Sequence, residues 1–245
     1  VSLLEAERIK LVSTRSPWWC ALLAIALPIG FAAILAASNV PEVPLTVASS
    51  QAATNLGQSV VLVMAAIAVT TEYRFGTIRS TFQAVPGRVP VLLAKTVVVA
   101  VLAGIIGEIA AFGSWGISRL IRPSVDLSLT SGADWRSVAG NGLVYALTAV
   151  LALGVGLLVR QTAGAIALLL VYSLLVEQLV LLIPKVGEDI QRWMPFFAAQ
   201  RFIDADPTAA RTDLPLGPWG YLAYFAGIAL VVLAAGIASA VKRDA

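Results

Sequence analysis

Histidine is absent from this 245-residue chain, and cysteine occurs once. Without histidine there is no Ser-His triad, no imidazole metal ligand and no His-based proton relay. The lone Cys20 cannot close an internal disulfide or build a soft metal site, and it reads as a small residue in an apolar run. Charge is scarce too, at 13% of residues, roughly half the share of a soluble domain. The net charge of +3 is small, and no basic stripe marks a nucleic-acid surface. Nor is there a G-x-x-x-x-G-K-[ST] phosphate loop, so the chain does not bind ATP in that way. Energy for any work comes from a partner or from an ion gradient.

What remains is apolar: 59% of the residues. A core built from 245 residues cannot hide that much apolar surface, so much of it faces lipid. A bilayer core of about 30 Å needs roughly 20 apolar residues in a helix. Six segments qualify: 18–37, 53–70, 96–117, 138–159, 163–183 and 219–240. The expected fold is therefore an all-α, polytopic membrane protein forming one membrane domain over 1–245. The first segment is longer than the apolar stretch of a signal peptide and reads as an anchor. The second is the weakest, with Asn55, Gln58 and Ser59 near its start.

Placing both termini on the cytoplasmic side puts ten of the 17 Lys and Arg residues there. The first loop on the other side, 38–52, then has neither Lys nor Arg, as the positive-inside rule asks. All six tryptophans fall near span ends, as interfacial anchors.

Four polar stretches connect or precede the spans. Segment 2–17 reads as a helix stopped by Pro17, only partly amphipathic, because Leu4 and Leu11 align while Ile9 falls opposite. It is either an interfacial helix or a plain leader. Segment 71–95 carries Glu72, Arg74, Gly76, Thr77 and Arg79. Gly76 breaks the helix there, and Thr77 is a candidate N-cap for a short new one. Ile78, Phe82 and Val85 then form an apolar stripe that Pro86-Gly87 ends. Such a helix suits docking in a partner's cleft, or lying on the headgroups. Segment 118–137 reads as an irregular loop. In 184–218, Val186, Ile190, Trp193 and Phe197 recur at helical spacing, predicting one or two short helices interrupted at Pro195.

Two carboxylates fall inside spans, Glu108 in the third and Glu177 in the fifth. A carboxylate in lipid is costly, so each faces protein or water and is a candidate for the translocation pathway or gate. Each is equally a candidate structural hydrogen-bonding group. Gly104, Gly107, Gly113 and Gly116 surround Glu108 on its helix, and small residues there permit a close helix contact, as at a dimer seam.

The run Glu72-Tyr73-Arg74-Phe75-Gly76-Thr77-Ile78-Arg79 resembles the ABC-2 type permease subunits of ATP-binding cassette transporters. The polar helix ending in Arg15-Ser16-Pro17-Trp18-Trp19, the six spans and the stretch Trp193-Met194-Pro195-Phe196 are similar as well. The resemblance implies a type V exporter arrangement in a bacterial inner membrane. In it, 2–17 is an interfacial connecting helix, 71–95 holds the coupling helix, and 184–218 supplies outer re-entrant helices. Glu72, Arg74, Gly76, Thr77, Ile78, Arg79 and Phe82 would then couple to an ATPase. It further implies a cytoplasmic ATP-binding partner subunit carrying ATP and magnesium, and a second permease chain, identical or sister. This chain would be no enzyme itself and would export an amphipathic or hydrophobic cargo. The alternative is a proton-coupled carrier using Glu108 and Glu177, although no inverted repeat is visible.

Overall fold

The computed structural model describes residues 2–38, 44–78, 87–205 and 215–243, and every regular element among them is helical. In chain order these are α1 (Leu3–Ser13), α2 (Arg15–Ser38), the short α3 (Val47–Ser50), α4 (Thr54–Arg74), α5 (Arg88–Ile121) and α6 (Gly132–Val159). They are followed by α7 (Thr162–Leu182), α8 (Gly187–Gln191), α9 (Pro195–Ile203) and α10 (Pro218–Arg243). Six of them, α2, α4 with α3, α5, α6, α7 and α10, are long and apolar enough to cross a membrane. The chain is a multi-pass helical membrane protein, and all six expected spans are present.

Three boundaries differ from expectation. Pro17 does not stop the first helix. The break is at Thr14, which is extended (φ −98°, ψ 146°), and Pro17 lies in the first turn of α2, where a missing N–H costs nothing. Next, α5 reaches back to Arg88 and runs 34 residues, about 50 Å, well beyond a bilayer core of about 30 Å. Lys95 is thus on a membrane helix, not in a connecting segment. Finally, the expected loop 118–137 shrinks to 122–131, because α5 continues to Ile121 and α6 opens with a capping box between Ser131 and Asp134.

Helix α6 is the central post of the bundle. Of its most apolar stretch 67% is buried, against 17% for α7, which lies at the periphery. Its sequence explains how one helix accommodates so many neighbours. Gly140 faces Phe202 of α9, Gly142 faces the Glu108 side chain of α5, Gly154 faces Leu233 of α10, and Gly156 faces Val69 of α4. A methyl group on Gly154 would sit 2.7 Å from the Leu233 backbone nitrogen, and one on Gly236 would sit 2.7 Å from the Gly154 carbonyl. Gly104 and Gly107 also turn inward, towards Gly142 and Asn141. Of the small residues around Glu108, Gly104 and Gly107 serve the α5–α6 contact within the chain, Gly113 meets Ile29 of α2, and Gly116 faces open space.

At the end of the bundle away from the termini, the stripe Val186, Ile190, Trp193 and Phe197 is not one helix face. Pro195 occupies the first position of α9, so α8 has already ended. Val186, Ile190 and Trp193 are exposed, and α9 instead buries Phe196, Ala199, Phe202 and Ile203. The Phe202 ring meets Trp219 edge-on at 5.1 Å, fixing α9 to the start of α10.

The glycine contacts separate in a simple experiment. Gly154→Ala pushes α6 and α10 apart and lowers stability by about 1–3 kcal/mol. Gly227→Ala, with open space around the added methyl, leaves stability unchanged or raises it slightly. Thermal melts of the purified variants in one detergent give the comparison; equal melting temperatures would contradict the packing described.

Candidate functional site

At the end of the bundle that carries the termini, α1 packs against α5 and the last turn of α4. The most buried residue of α1 is not apolar: it is Glu7, 4% exposed. One Glu7 oxygen accepts from Lys10 Nζ at 2.7 Å and the other from Lys95 Nζ. Lys95 also donates to Glu72 Oε1 at 2.9 Å, and Lys10 approaches the same oxygen at 3.5 Å. Two acids and two bases thus alternate in a closed ring drawn from α1, α4 and α5. Lys95 is only 5% exposed, whereas the Lys10 side chain is 42% exposed, so the ring is dry on the Lys95 side and open to water at Lys10. Burial works against the charge on Glu7, but Lys95 and Lys10 outweigh it and hold the carboxyl below its ordinary range. Burial likewise opposes the charge on Lys10, and Glu7 and Glu72 hold its ammonium above the ordinary range.

Beyond the ring the chain turns sharply. Helix α4 ends at Arg74, and Gly76 adopts φ +70°, the left-handed conformation that glycine takes without strain. Helical geometry resumes at Thr77, so Thr77 is the first helical residue and not the expected cap. Its hydroxyl lies 3.5 Å from the Glu72 carbonyl. Arg74, Phe75, Gly76 and Thr77 form an exposed tip, with Phe75 70% exposed and the Arg74 guanidinium 5.6 Å from its ring centroid. Ile78 is turned inward and buried, so it cannot begin the sticky stripe expected of it; Phe75 is the exposed apolar residue instead. Arg79, Phe82 and Val85 lie outside the described residues.

At the opposite end, Glu177 is buried beneath α9. Its two carboxylate oxygens accept the backbone N–H groups of Phe196 at 2.9 Å and Phe197 at 2.8 Å. These are second- and third-position donors of α9, which its own N-cap residue Met194 leaves uncapped. Glu177 therefore caps a helix that begins 18 residues further along the chain, from the wall of a span. A π-helical turn at Tyr172–Val176 immediately precedes it. Glu108, by contrast, is half-buried and lies along Gly142. The two acids are in different places and form no pair.

Between α4, α7 and α9 near this end is a cavity of about 370 Å³. Five carboxamides line it: Asn55, Gln58, Gln178, Gln191 and Gln200. Gln58 donates to Thr148 Oγ1 at 2.8 Å and accepts from Gln200 at 3.3 Å.

Lys95→Met removes the more buried of the two cations that Glu7 and Glu72 share, leaving only the part-exposed Lys10 between them. The expected cost is roughly 3–5 kcal/mol, and much of it returns when Glu7→Gln and Glu72→Gln are added. Denaturation midpoints of the single and triple variants test this; an unaffected Lys95→Met protein would mean the ring is not buried. At the other end, Glu177→Ala strands two N–H donors and costs about 1–3 kcal/mol, while Glu177→Gln, which keeps one acceptor, costs less. Hydrogen exchange at residues 196–203 reads the loss directly, and exchange unchanged in the Ala variant would remove Glu177 as the cap.

Compared with models of known protein families and with curated proteins, the chain matches none.

Proposed function

We propose that this chain is the membrane subunit of an ABC-2 type exporter, with both termini in the cytoplasm and energy supplied by a separate ATP-binding subunit. The observation that carries the reading is the exposed Arg74–Thr77 tip standing on a buried ion ring. A docking element that transmits force needs an accessible contact surface and a stiff backing. Here the tip supplies a cation and an aromatic ring, and the ring of charges fixes the backing to α1 and α5. Six spans and the absent phosphate loop agree with a chain that works only with an ATP-hydrolysing partner.

In this reading α1 is the connecting helix and the segment around residues 72–85 is the coupling element. ATP and magnesium belong to the partner. A second permease chain, identical or sister, completes the pathway in a bacterial inner membrane. The far-end helices α8 and α9 cap the exit side. The proton-carrier alternative is weaker, because Glu177 is committed to two backbone donors and Glu108 stands apart from it.

Co-expression with its ATPase and purification by a tag on this chain tests the assembly: the ATPase comes down in equal ratio. Arg74→Glu with Phe75→Ala, and separately Arg79→Glu, reduce co-purified ATPase and transport at least tenfold while membrane insertion is unchanged. Wild-type transport by stably inserted variants would overturn the proposal, and transport abolished by an ionophore with ATP maintained would favour the carrier.

A further inference from the structure

The carboxamide-lined cavity has an unusual chemical balance for a site within membrane helices. Asn55 and Gln58 lie in the first two turns of α4, and Gln178 lies about a turn from the end of α7. Gln58, Gln191 and Gln200 each use at least one polar atom in the protein. Asn55 and Gln178 are exposed towards the cavity, and their carboxamides are engaged by no side-chain hydrogen bond among the described residues. Exposed and near span ends, these two carboxamides can hydrogen-bond water or a ligand that displaces it. No Lys or Arg lines the cavity, so an anion finds no counter-charge there. Its one carboxylate, Glu177, already accepts a backbone N–H of α9 on each oxygen, so its charge is in part compensated there. Phe196 and Phe197 contribute apolar ring surface at the same wall.

We propose that this cavity binds an uncharged, hydrogen-bonding group, one rich in hydroxyls or amides, attached to an apolar body. Carboxamides both donate and accept, so they match neutral hydroxyls and amides as they match neither fixed charge. A site built to hydrogen-bond rejects a ligand that leaves its polar groups unpaired. The identification of this group as part of the cargo rests on the exporter reading; the binding itself does not.

Three amphiphiles with the same ten-carbon tail provide the probes: decyl maltoside, decyl phosphate and decyltrimethylammonium. Each is radiolabelled and equilibrated, below its micelle concentration, with the full chain in phosphatidylcholine nanodiscs, and binding to empty nanodiscs is subtracted. Decyl maltoside binds saturably, and both charged probes bind at least tenfold more weakly. Asn55→Leu with Gln178→Leu weakens maltoside binding about tenfold, and Gln178→Glu, at an exposed position that tolerates change, raises decyltrimethylammonium binding about tenfold. Equal binding of a charged probe, an unchanged preference in both variants, or partition no greater than that of empty nanodiscs overturns the proposal. No ATPase is present in this measurement. A chain that selects maltoside yet recruits no ATPase refutes the exporter reading alone, and the converse refutes only the cavity assignment.

Discussion

Between helices in lipid, burial of apolar surface supplies little attraction, because lipid tails are as apolar as leucine. Close packing has to do that work, and it depends on how near two backbones can come. In this bundle the approach is set by α6, where Gly140, Gly142, Gly154 and Gly156 open on four different neighbours. Every other span is positioned relative to that post, directly or through one intermediate. The loosely packed α7 touches α6 and α4 but is the least buried of the six spans, and it is also the helix that holds α9 in place by a polar tether, through Glu177.

The two polar devices of the bundle differ in kind. The ring of Glu7, Lys10, Glu72 and Lys95 joins three helices through charges that neutralise one another, so its removal as a whole is tolerable and its partial removal is not. The Glu177 cap joins a charge to a helix end, where two backbone donors and the helix dipole supply the compensation. Helix α5, longer than a bilayer is thick, carries Lys95 near its start and reaches Trp115 and Ser118 near the opposite end. A tilt imposed at the ring is therefore transmitted along one continuous rod.

The six spans were legible because apolar length is a strong signal that needs no tertiary information. Helix ends were less so: α5 gained two turns at its start because Arg88, Val89 and Pro90 are compatible with a helix opening even though they are not an apolar run. The ring escaped the sequence for a physical reason. Segment 2–17 has only a partial apolar face, since the residue at the centre of the inward face is Glu7, compensated by a lysine 88 positions away. Lys95, a lone cation entering the run of valines that follows it, was the available hint. Glu72 was singled out, but as a contact for a partner and not as a member of an internal ring. Glu177 was visible as an anomaly; its role was not, because the donors it satisfies belong to a later segment. Ile78 was assigned outward from periodicity alone, which gives the spacing of a face but not its direction.

The cap on α9 also sets an order for making the protein. While the chain is being synthesised, α7 leaves the ribosome before Phe196 and Phe197 do. During that interval it carries a carboxylate with no partner, a burden of about 2.5–3.5 kcal/mol if held near the middle of a helix in lipid and less near its end. The burden is lifted only when the following stretch folds back to offer its amides. Helix α7 is thus secured retroactively by a segment that leaves the ribosome after it.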